Sequence, residues 1–423
     1  MREKLRIAMI GCGRFAHSFV PLFKAHPNVE SVKVCDLMPE RAKKFAEEFD
    51  VGTVDSFEDA LESSDINAVA IFTQRFKHSP MAIKALKAGK HVYSAVPCSI
   101  SIDEINEIER LVKKTHLTYS MGETGFYRAP TVYCRQKFYE GAFGDFVYGE
   151  AHYNHDIRNM EQSFRSSAGD DWKKYAGIPP MYYPTHSTSM ILGSMPGVYA
   201  TKVCAMGYED KRKDIYGTDG QNLYNNPFSN TTMLLKLSNG GLARISENRC
   251  VGWRAPETYI SQFYGNEGCY EFSVAHHYLS HWDKNRCDKN HEVIMKEVTS
   301  ELTPADVYEA LLENSDDTLQ RIADGWGFLE SSPIQPTARL PKEFHGLKNG
   351  HNGTHHFLID DFCRAAYEDK LSPTNIWQVA RFNIPGLLAH ESALKGGVVM
   401  DVPDLGNPPE DWELLNPDNF PIK

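Results

Sequence analysis

The run Ile7-Ala8-Met9-Ile10-Gly11-Cys12-Gly13-Arg14-Phe15-Ala16 constrains this chain more than any other stretch. Leu5 to Ile10 is a short apolar run, as expected of a strand buried on both faces, and it feeds directly into Gly-x-Gly-x-x-Ala. In such a turn the first glycine permits the tight bend, the second lets backbone approach a pyrophosphate, and a small residue at Ala16 lets the next helix sit close on the sheet. That helix offers its free N–H groups and the positive end of its dipole to phosphate. Asp36 stands twenty residues after Ala16, at the end of a second strand-like run, Ser31 to Cys35. An acid there accepts hydrogen bonds from both ribose hydroxyls and repels a 2′-phosphate. Strand, turn, helix and acid together predict an NAD site, NAD rather than NADP, formed by Gly11, Gly13, Arg14, Phe15, Ala16 and Asp36.

The rhythm that follows agrees with a dinucleotide fold. Pro39 and Glu40 open a helix whose Ala42, Phe45, Ala46 and Phe49 fall on one face. Val51 to Val54, Ala68 to Phe72, His91 to Ser94 and Leu117 to Met121 read as strands, with helices over Pro80 to Ala88 and along Ile102, Ile105, Ile108 and Val112. This βαβ alternation implies a doubly wound parallel sheet, a Rossmann α/β domain over about residues 1–125. Beyond it the pattern turns to hairpins. Thr231 to Leu237 and Leu242 to Ser246 flank Ser238-Asn239-Gly240-Gly241, and Thr258 to Tyr264 and Cys269 to Val274 flank Gly265-Asn266-Glu267-Gly268. With Phe146 to Tyr153 and Tyr199 to Met206 they predict an α+β second domain, residues 126–423, on an open, mostly antiparallel sheet. An insertion is expected at about 276–345, with a helix from Pro304, and a long C-terminal helix over about 376–394.

At 423 residues, 41% hydrophobic and 24% charged, the chain is long enough for two domains. Its net charge of −11 argues against nucleic acid or an anionic membrane as partner. Without a long apolar run at the start or a membrane-spanning stretch, a cytoplasmic location is expected. Nine cysteines without a Cys-x-x-Cys pair read as reduced thiols, with neither a disulfide frame nor a zinc site.

Gly11-Cys12-Gly13, Asp36, Ala68-Val69-Ala70-Ile71-Phe72-Thr73 with His78 following, Ala88-Gly89-Lys90-His91-Val92, Pro97 and His186 resemble the Gfo/Idh/MocA family of oxidoreductases along essentially the whole chain. The resemblance implies hydride transfer between NAD(P) and a sugar or polyol carbon, and a broad sheet face buried in a homo-oligomer, a dimer or tetramer. Two positions depart from the family pattern. Its Glu-Lys-Pro is Ala95-Val96-Pro97 here, and its Asp-x-Gly-x-His is Tyr182-Tyr183-Pro184-Thr185-His186, so both the usual lysine and the usual acid are missing. His186, assisted by Tyr183, is then left to handle the proton; an imidazole, with an ordinary pKa near 6.5, suits that task. Tyr183-Pro184-Thr185-His186 and Val96-Pro97 also resemble the NAD-dependent glycosidases of the superfamily, which recycle their NAD. A redox glycosidase or lyase is therefore the alternative activity, and a non-catalytic cofactor-binding sensor a second alternative.

The resemblance also implies Thr73, Gln74, His78 and Pro97 beside the cofactor. Glu123 follows the sixth strand, where it either helps place the nicotinamide or caps the next helix, and Tyr127 is a candidate substrate contact. Tyr182, His152, Trp253 and His355 are further candidates. Glu150, His152 and Asp156 share a strand face by alternation, but a polar strand side is preferred there to a metal triad, and no metal is expected. For His351, His355 and His356 the alternatives are a substrate contact and a solvated helix start capped by Thr354. Trp253, with Arg254, either stacks a sugar ring or fills the core.

Overall fold

The computed structural model describes residues 2–252, 258–273, 276–282, 293–313 and 315–418. The chain divides into two compact units, one comprising Met1–Thr124, Pro336–Asn383 and Leu405–Asn419, the other built on Gly125–Gln335 and Ile384–Asp404.

The first unit holds six parallel strands: β1 (Leu5–Ile10), β2 (Val29–Cys35), β3 (Gly52–Thr53), β4 (Ala68–Ile71), β5 (His91–Ser94) and β6 (Tyr119–Met121). Their order is β3-β2-β1-β4-β5-β6, the doubly wound arrangement in which the order of strand addition reverses between β1 and β4, all strands remaining parallel. All four residues of β4 are buried, and only Arg6 of β1 is not, because a parallel sheet carries helices on both faces. The helices include α1 (Val20–Ala25), α2 (Pro39–Phe49), α3 (Phe57–Glu62), α4 (His78–Lys87) and α5 (Ile102–Thr115). Local sequence accounts for their ends. Ser56 and Ser101 cap α3 and α5 by accepting from Asp59 and Glu104 amides, while Asp50 and His116 close α2 and α5 in the left-handed region.

This unit corrects the domain assignment made from sequence, which placed everything after residue 125 in the second domain. Segments 336–383 and 405–419 belong with the parallel sheet instead. The helix His355–Glu368 is the reason: Phe362 packs edge-on against Phe23 and Tyr93, and Asp360 meets His26 at 3.3 Å and the Arg339 guanidinium. All of these side chains are buried, so the late segment supplies core that α1 and β5 would otherwise expose.

The second unit is a nine-stranded mixed, mostly antiparallel sheet. It comprises β7 (Phe146–Asn154), β8 (Ala200–Glu209), β9 (Phe228–Leu237), β10 (Leu242–Asn248), β11 (Thr258–Gly265), β12 (Gly268–Ser273), β13 (His276–Trp282), β14 (Val293–Glu297) and β15 (Met400–Asp401). Their order is β14-β13-β12-β11-β7-β10-β9-β8-β15. The β7–β10 pair is parallel, with Ala151 opposite Ile245 and Tyr153 opposite Glu247. The segment expected as an insertion begins with β13 and β14, which extend the sheet edge. Alternation sets the two faces. Gly149, Ala151 and Tyr153 of β7 and Ala243, Ile245 and Glu247 of β10 are buried, whereas Glu150, His152, Arg244 and Leu242 lie toward the other, more open side. Helix Thr185–Leu192 packs on the buried face and is itself wholly buried. No described helix is long and apolar enough to cross a membrane.

Candidate functional site

In the first unit the glycine turn is shaped by sterics. Gly11 has φ +101°, and a Cβ there would lie 2.3 Å from the Phe72 carbonyl oxygen, so only glycine fits. Gly13 is exposed, and a Cβ added to it would meet nothing within 4 Å, which leaves open backbone at the bend. Ala16 is fully buried, and Arg14 is exposed. The Asp36 carboxylate closes the turn from the side, Oδ2 accepting from the Cys12 amide at 2.9 Å and Oδ1 from the Met38 amide at 2.9 Å. Arg41 stands 3.7 Å from the same carboxylate. A carboxylate has about four acceptor positions, so capacity for ribose hydroxyls is left over. Open backbone at Gly13, a glycine-only bend and a partly exposed acid at the rim fit a dinucleotide. Leu37 and Met38, both exposed directly after Asp36, add an apolar surface that was not singled out from sequence.

Several expectations need correction here. The segment after the turn begins as a 3-10 turn, Ala16–Ser18, and α1 starts only at Val20, so the free amides nearest the turn belong to 3-10 backbone. Phe15 is half-buried among rings, with Phe19 at 4.8 Å and His351 and His355 both at 5.8 Å. His355 is buried, stacks on Phe19 at 4.3 Å and bonds His351 at 2.7 Å, which makes it backing for the turn and leaves almost no surface for a substrate. Burial drives its pKa well below the ordinary imidazole value, with His351 and His356 adding to the effect. Thr354 makes no capping bond and is itself helical, so the solvated, capped helix start is not what forms. The turn before it is instead held by left-handed His351 and Asn352.

His78 is wholly buried, with Nδ1 2.9 Å from the Pro97 carbonyl and Nε2 3.1 Å from the Thr73 carbonyl. It ties together the loops after β4 and β5, and so acts on Thr73 and Pro97, with no exposed surface of its own. Burial lowers its pKa against the pull of those two carbonyls. Thr73 and Gln74 remain partly exposed; Ala95, Val96, Pro97 and Glu123 are buried.

The second unit assembles the candidate acid–base cluster. His186 stands in the first turn of the helix Thr185–Leu192 and Tyr183 two residues before that helix begins, and Nε2 of His186 lies 3.1 Å from the Tyr183 hydroxyl. Rings wall the imidazole in: Tyr183 and Tyr153 each edge-on at 5.0 Å, Tyr259 at 5.8 Å. Tyr153 stacks on Tyr259 at 4.7 Å and its hydroxyl bonds Nδ1 of His155. Two cations lie on the tyrosine faces, the Arg128 guanidinium 3.5 Å from the Tyr259 ring and that of Arg249 4.9 Å from Tyr153 and 5.8 Å from Tyr183. Glu247 pairs with Arg249 at 2.8 Å, both buried, and accepts from Ser187 Oγ. Burial pushes the Glu247 carboxyl up to about 7, against the opposing pull of Arg249, Ser187 and His186.

Sequence reading missed Glu247, Arg249, Arg128 and Tyr259. Their signal was present: along β10 the apolar positions Ala243 and Ile245 are continued on the same face by Glu247, and Arg249 follows in step, charges where hydrophobics should continue. Other candidates are not brought to His186. His152 lies on the opposite side of β7 from Tyr153, paired with Glu150 at 3.5 Å. Tyr127 is fully buried, with the Arg135 guanidinium 5.9 Å from its ring and Gln335 donating to its carbonyl. Tyr182 is half-buried and edge-on to His390 at 5.1 Å, its pKa raised by burial and then by Glu391. Trp253 and Arg254 lie outside the described residues.

Residues 5–123 match the family model described as oxidoreductase family, NAD-binding Rossmann fold, GFO_IDH_MocA. Among curated proteins the chain is 28% identical over 206 residues to a glycosyl hydrolase family 109 protein of Saccharopolyspora erythraea, covering 46% of this chain and 44% of that one. It is 27% identical over 196 residues to another of Shewanella pealeana, covering 44% and 43%. The matched region thus spans less than half the length of these relatives. Among solved structures, levoglucosan dehydrogenase in complex with NADH and levoglucosan aligns with TM-score 0.67 at 17% identity, covering 95% of this chain and 100% of that one. myo-Inositol 2-dehydrogenase from Lactobacillus plantarum aligns with TM-score 0.65 at 17% identity, with the same coverage. At these identities the structures establish a shared fold. The turn at Gly11, the acid at Asp36 and the family match lead to one conclusion: residues 5–123 form a Rossmann unit that matches the NAD-binding model of the GFO_IDH_MocA oxidoreductase family.

Proposed function

We propose that this protein exchanges hydride between NAD and a hydroxyl-bearing carbon of a sugar or sugar derivative, with Tyr183 and His186 carrying the hydroxyl proton. The observation that supports this most is the 3.1 Å contact between the Tyr183 hydroxyl and Nε2 of His186, in a chain that also bears an NAD turn. When bound, NAD supplies the hydride chemistry. Gly11, Gly13 and Ala16 hold the pyrophosphate, Asp36 the adenosine ribose, and Thr73 and Gln74 the approach after β4. As the substrate hydroxyl gives its proton to the Tyr183 oxygen, the tyrosine passes its own to His186 Nε2; the reverse sequence serves reduction. Val96, buried and without a titratable group, takes no part, which is why the pair must suffice.

A second reading has its own support. The curated relatives are named glycosyl hydrolase family 109 proteins, and Tyr183-Pro184-Thr185-His186 with Val96-Pro97 resembles the glycosidase branch. There the same proton pair would serve an oxidation whose hydride is later returned, with a glycosidic bond broken between. One assay separates the two: free sugars and chromogenic glycosides, with NAD at catalytic and at saturating levels, following NADH and aglycone together. NADH matched to a free sugar supports the dehydrogenase; aglycone released over many turnovers without net NADH supports the glycosidase. Neither signal with any substrate leaves a cofactor-binding sensor. A homo-oligomer in the cytoplasm completes the proposal, checked by light scattering of the purified protein and by fractionation.

A further inference from the structure

We propose that the buried Glu247–Arg249 pair is the positioning device that polarises the Tyr183–His186 hydrogen bond, its positive end on the tyrosine faces and its negative end toward the helix that bears His186. This rests on the proton roles proposed above, and it names residues outside the motifs that suggested them. Arg249 lies over Tyr153 at 4.9 Å and Tyr183 at 5.8 Å and is anchored at 2.8 Å to Glu247, whose other oxygen is held by Ser187, the residue next to His186. The two charges are spaced along β10 and its continuation, so the dipole has a fixed direction. A cation beside a phenol favours phenolate, and an anion beyond that cation opposes it. Arg249, the end lying on the Tyr183 face, therefore pushes the shared proton from Tyr183 toward His186, and Glu247 tempers that push. A buried phenol without such a cation would be a poor base, because burial alone raises its pKa. Among the described residues, Tyr153, His155, Tyr259 and Arg128 also face the cluster.

The two ends of a dipole have opposite effects, which a merely structural pair would not. Coulomb's law at the Arg249–Tyr183 separation, with an effective dielectric of about 20, puts the influence of the guanidinium on the phenol at about 2 pH units. The experiment is a titration of phenolate absorbance in the full chain without substrate, with Tyr183→Phe and Tyr153→Phe backgrounds subtracted to isolate Tyr183. Arg249→Met is expected to raise the Tyr183 midpoint by about 2 pH units, Glu247→Gln to lower it, and Arg249→Lys, which keeps the charge, to raise it by less than Arg249→Met does. Midpoints that move in the same direction in Arg249→Met and Glu247→Gln, or do not move, overturn the proposal. If Arg249→Met does not fold, Glu247→Gln decides alone, since a midpoint that fails to fall is sufficient to reject it. Because no substrate is present, this outcome is independent of whether a sugar is turned over, and the assay of NADH and aglycone tests that separately.

Discussion

Replacing Asp36 by asparagine separates two jobs done by one carboxylate. Each oxygen accepts one backbone amide, Cys12 at Oδ2 and Met38 at Oδ1, both at 2.9 Å. Asparagine has one acceptor oxygen, so whichever amide keeps its bond, the other faces an NH2 group. One charge-assisted bond disappears and the other becomes neutral; with the side chain only 9% exposed, a loss of about 2 kcal/mol is reasonable. For a unit of this size that lowers Tm by about 4–8 °C. NAD loses in addition an acceptor for its ribose hydroxyls, so Kd should rise about 10- to 100-fold. NADP, which the wild-type carboxylate repels, should hold or gain, since Arg41 lies 3.7 Å from that carboxylate and becomes available to a phosphate. Calorimetric titration of both cofactors into wild type and Asp36→Asn, with a melting curve for each, gives every quantity. An NAD-to-NADP preference that does not change would refute the ribose assignment, and an unchanged Tm would refute the bracing of the turn.

Other perturbations test neighbouring claims. Gly11→Ala places a Cβ 2.3 Å from the Phe72 carbonyl at φ +101° and should lower both Tm and NAD affinity, whereas Gly13→Ala, with open space around it, should spare Tm and weaken NAD alone; calorimetry on the two variants checks the contrast. His186→Ala should reduce turnover by at least about 100-fold while NAD binding stays within about twofold, read from steady-state rates and cofactor titration. Glu247 predicts a pH dependence of stability. Its carboxyl binds a proton more tightly folded, about 7 against an ordinary 4.5, so its contribution is fully present below about 4.5 and is lost as pH rises through 7. Glu247→Gln should therefore show a smaller fall in Tm between about pH 5 and about pH 7.5 than wild type does; an equal fall would show that Glu247 is ionised throughout.

Much of the first unit was legible because its signals are local. Strand, glycine turn, acid and amphipathic helices lie within short windows, and β1, β2, β4 and β5 form where the apolar runs fall. What was illegible depends on distant pairing. The destination of segment 336–383 is decided by Phe362, Asp360 and His355 meeting Phe23, His26 and Phe19, and that of 405–419 by contacts such as Trp412 stacking on His116, which no local window contains. The candidate proton pair was visible as a four-residue motif, but its surroundings come from three strands and an upstream loop: Tyr153, Glu247, Tyr259 and Arg128. Register puts Tyr153 opposite Glu247 and Tyr259, and a one-residue slip would have turned His152 inward in its place. The short helix over Thr299–Leu302 and the strands before it escaped notice because polar, histidine-bearing sequence does not announce an edge strand.

The helix His355–Glu368 also governs timing. As the protein is synthesised, the six parallel strands emerge early, yet the surface of α1 and β5 that Phe362 and Asp360 cover stays exposed until the ribosome has delivered the later segments. Residues 125–335, the larger part of the second unit, must be made in the interval. A nascent chain in this state carries Phe23 and Tyr93 without Phe362 and His26 without Asp360, a sticky intermediate that folds slowly because its closing contacts are so far apart in sequence. Cofactor affinity should thus arise late in synthesis, and a fragment ending at residue 125 should be aggregation-prone and bind NAD weakly, although every residue of the dinucleotide turn is present in it.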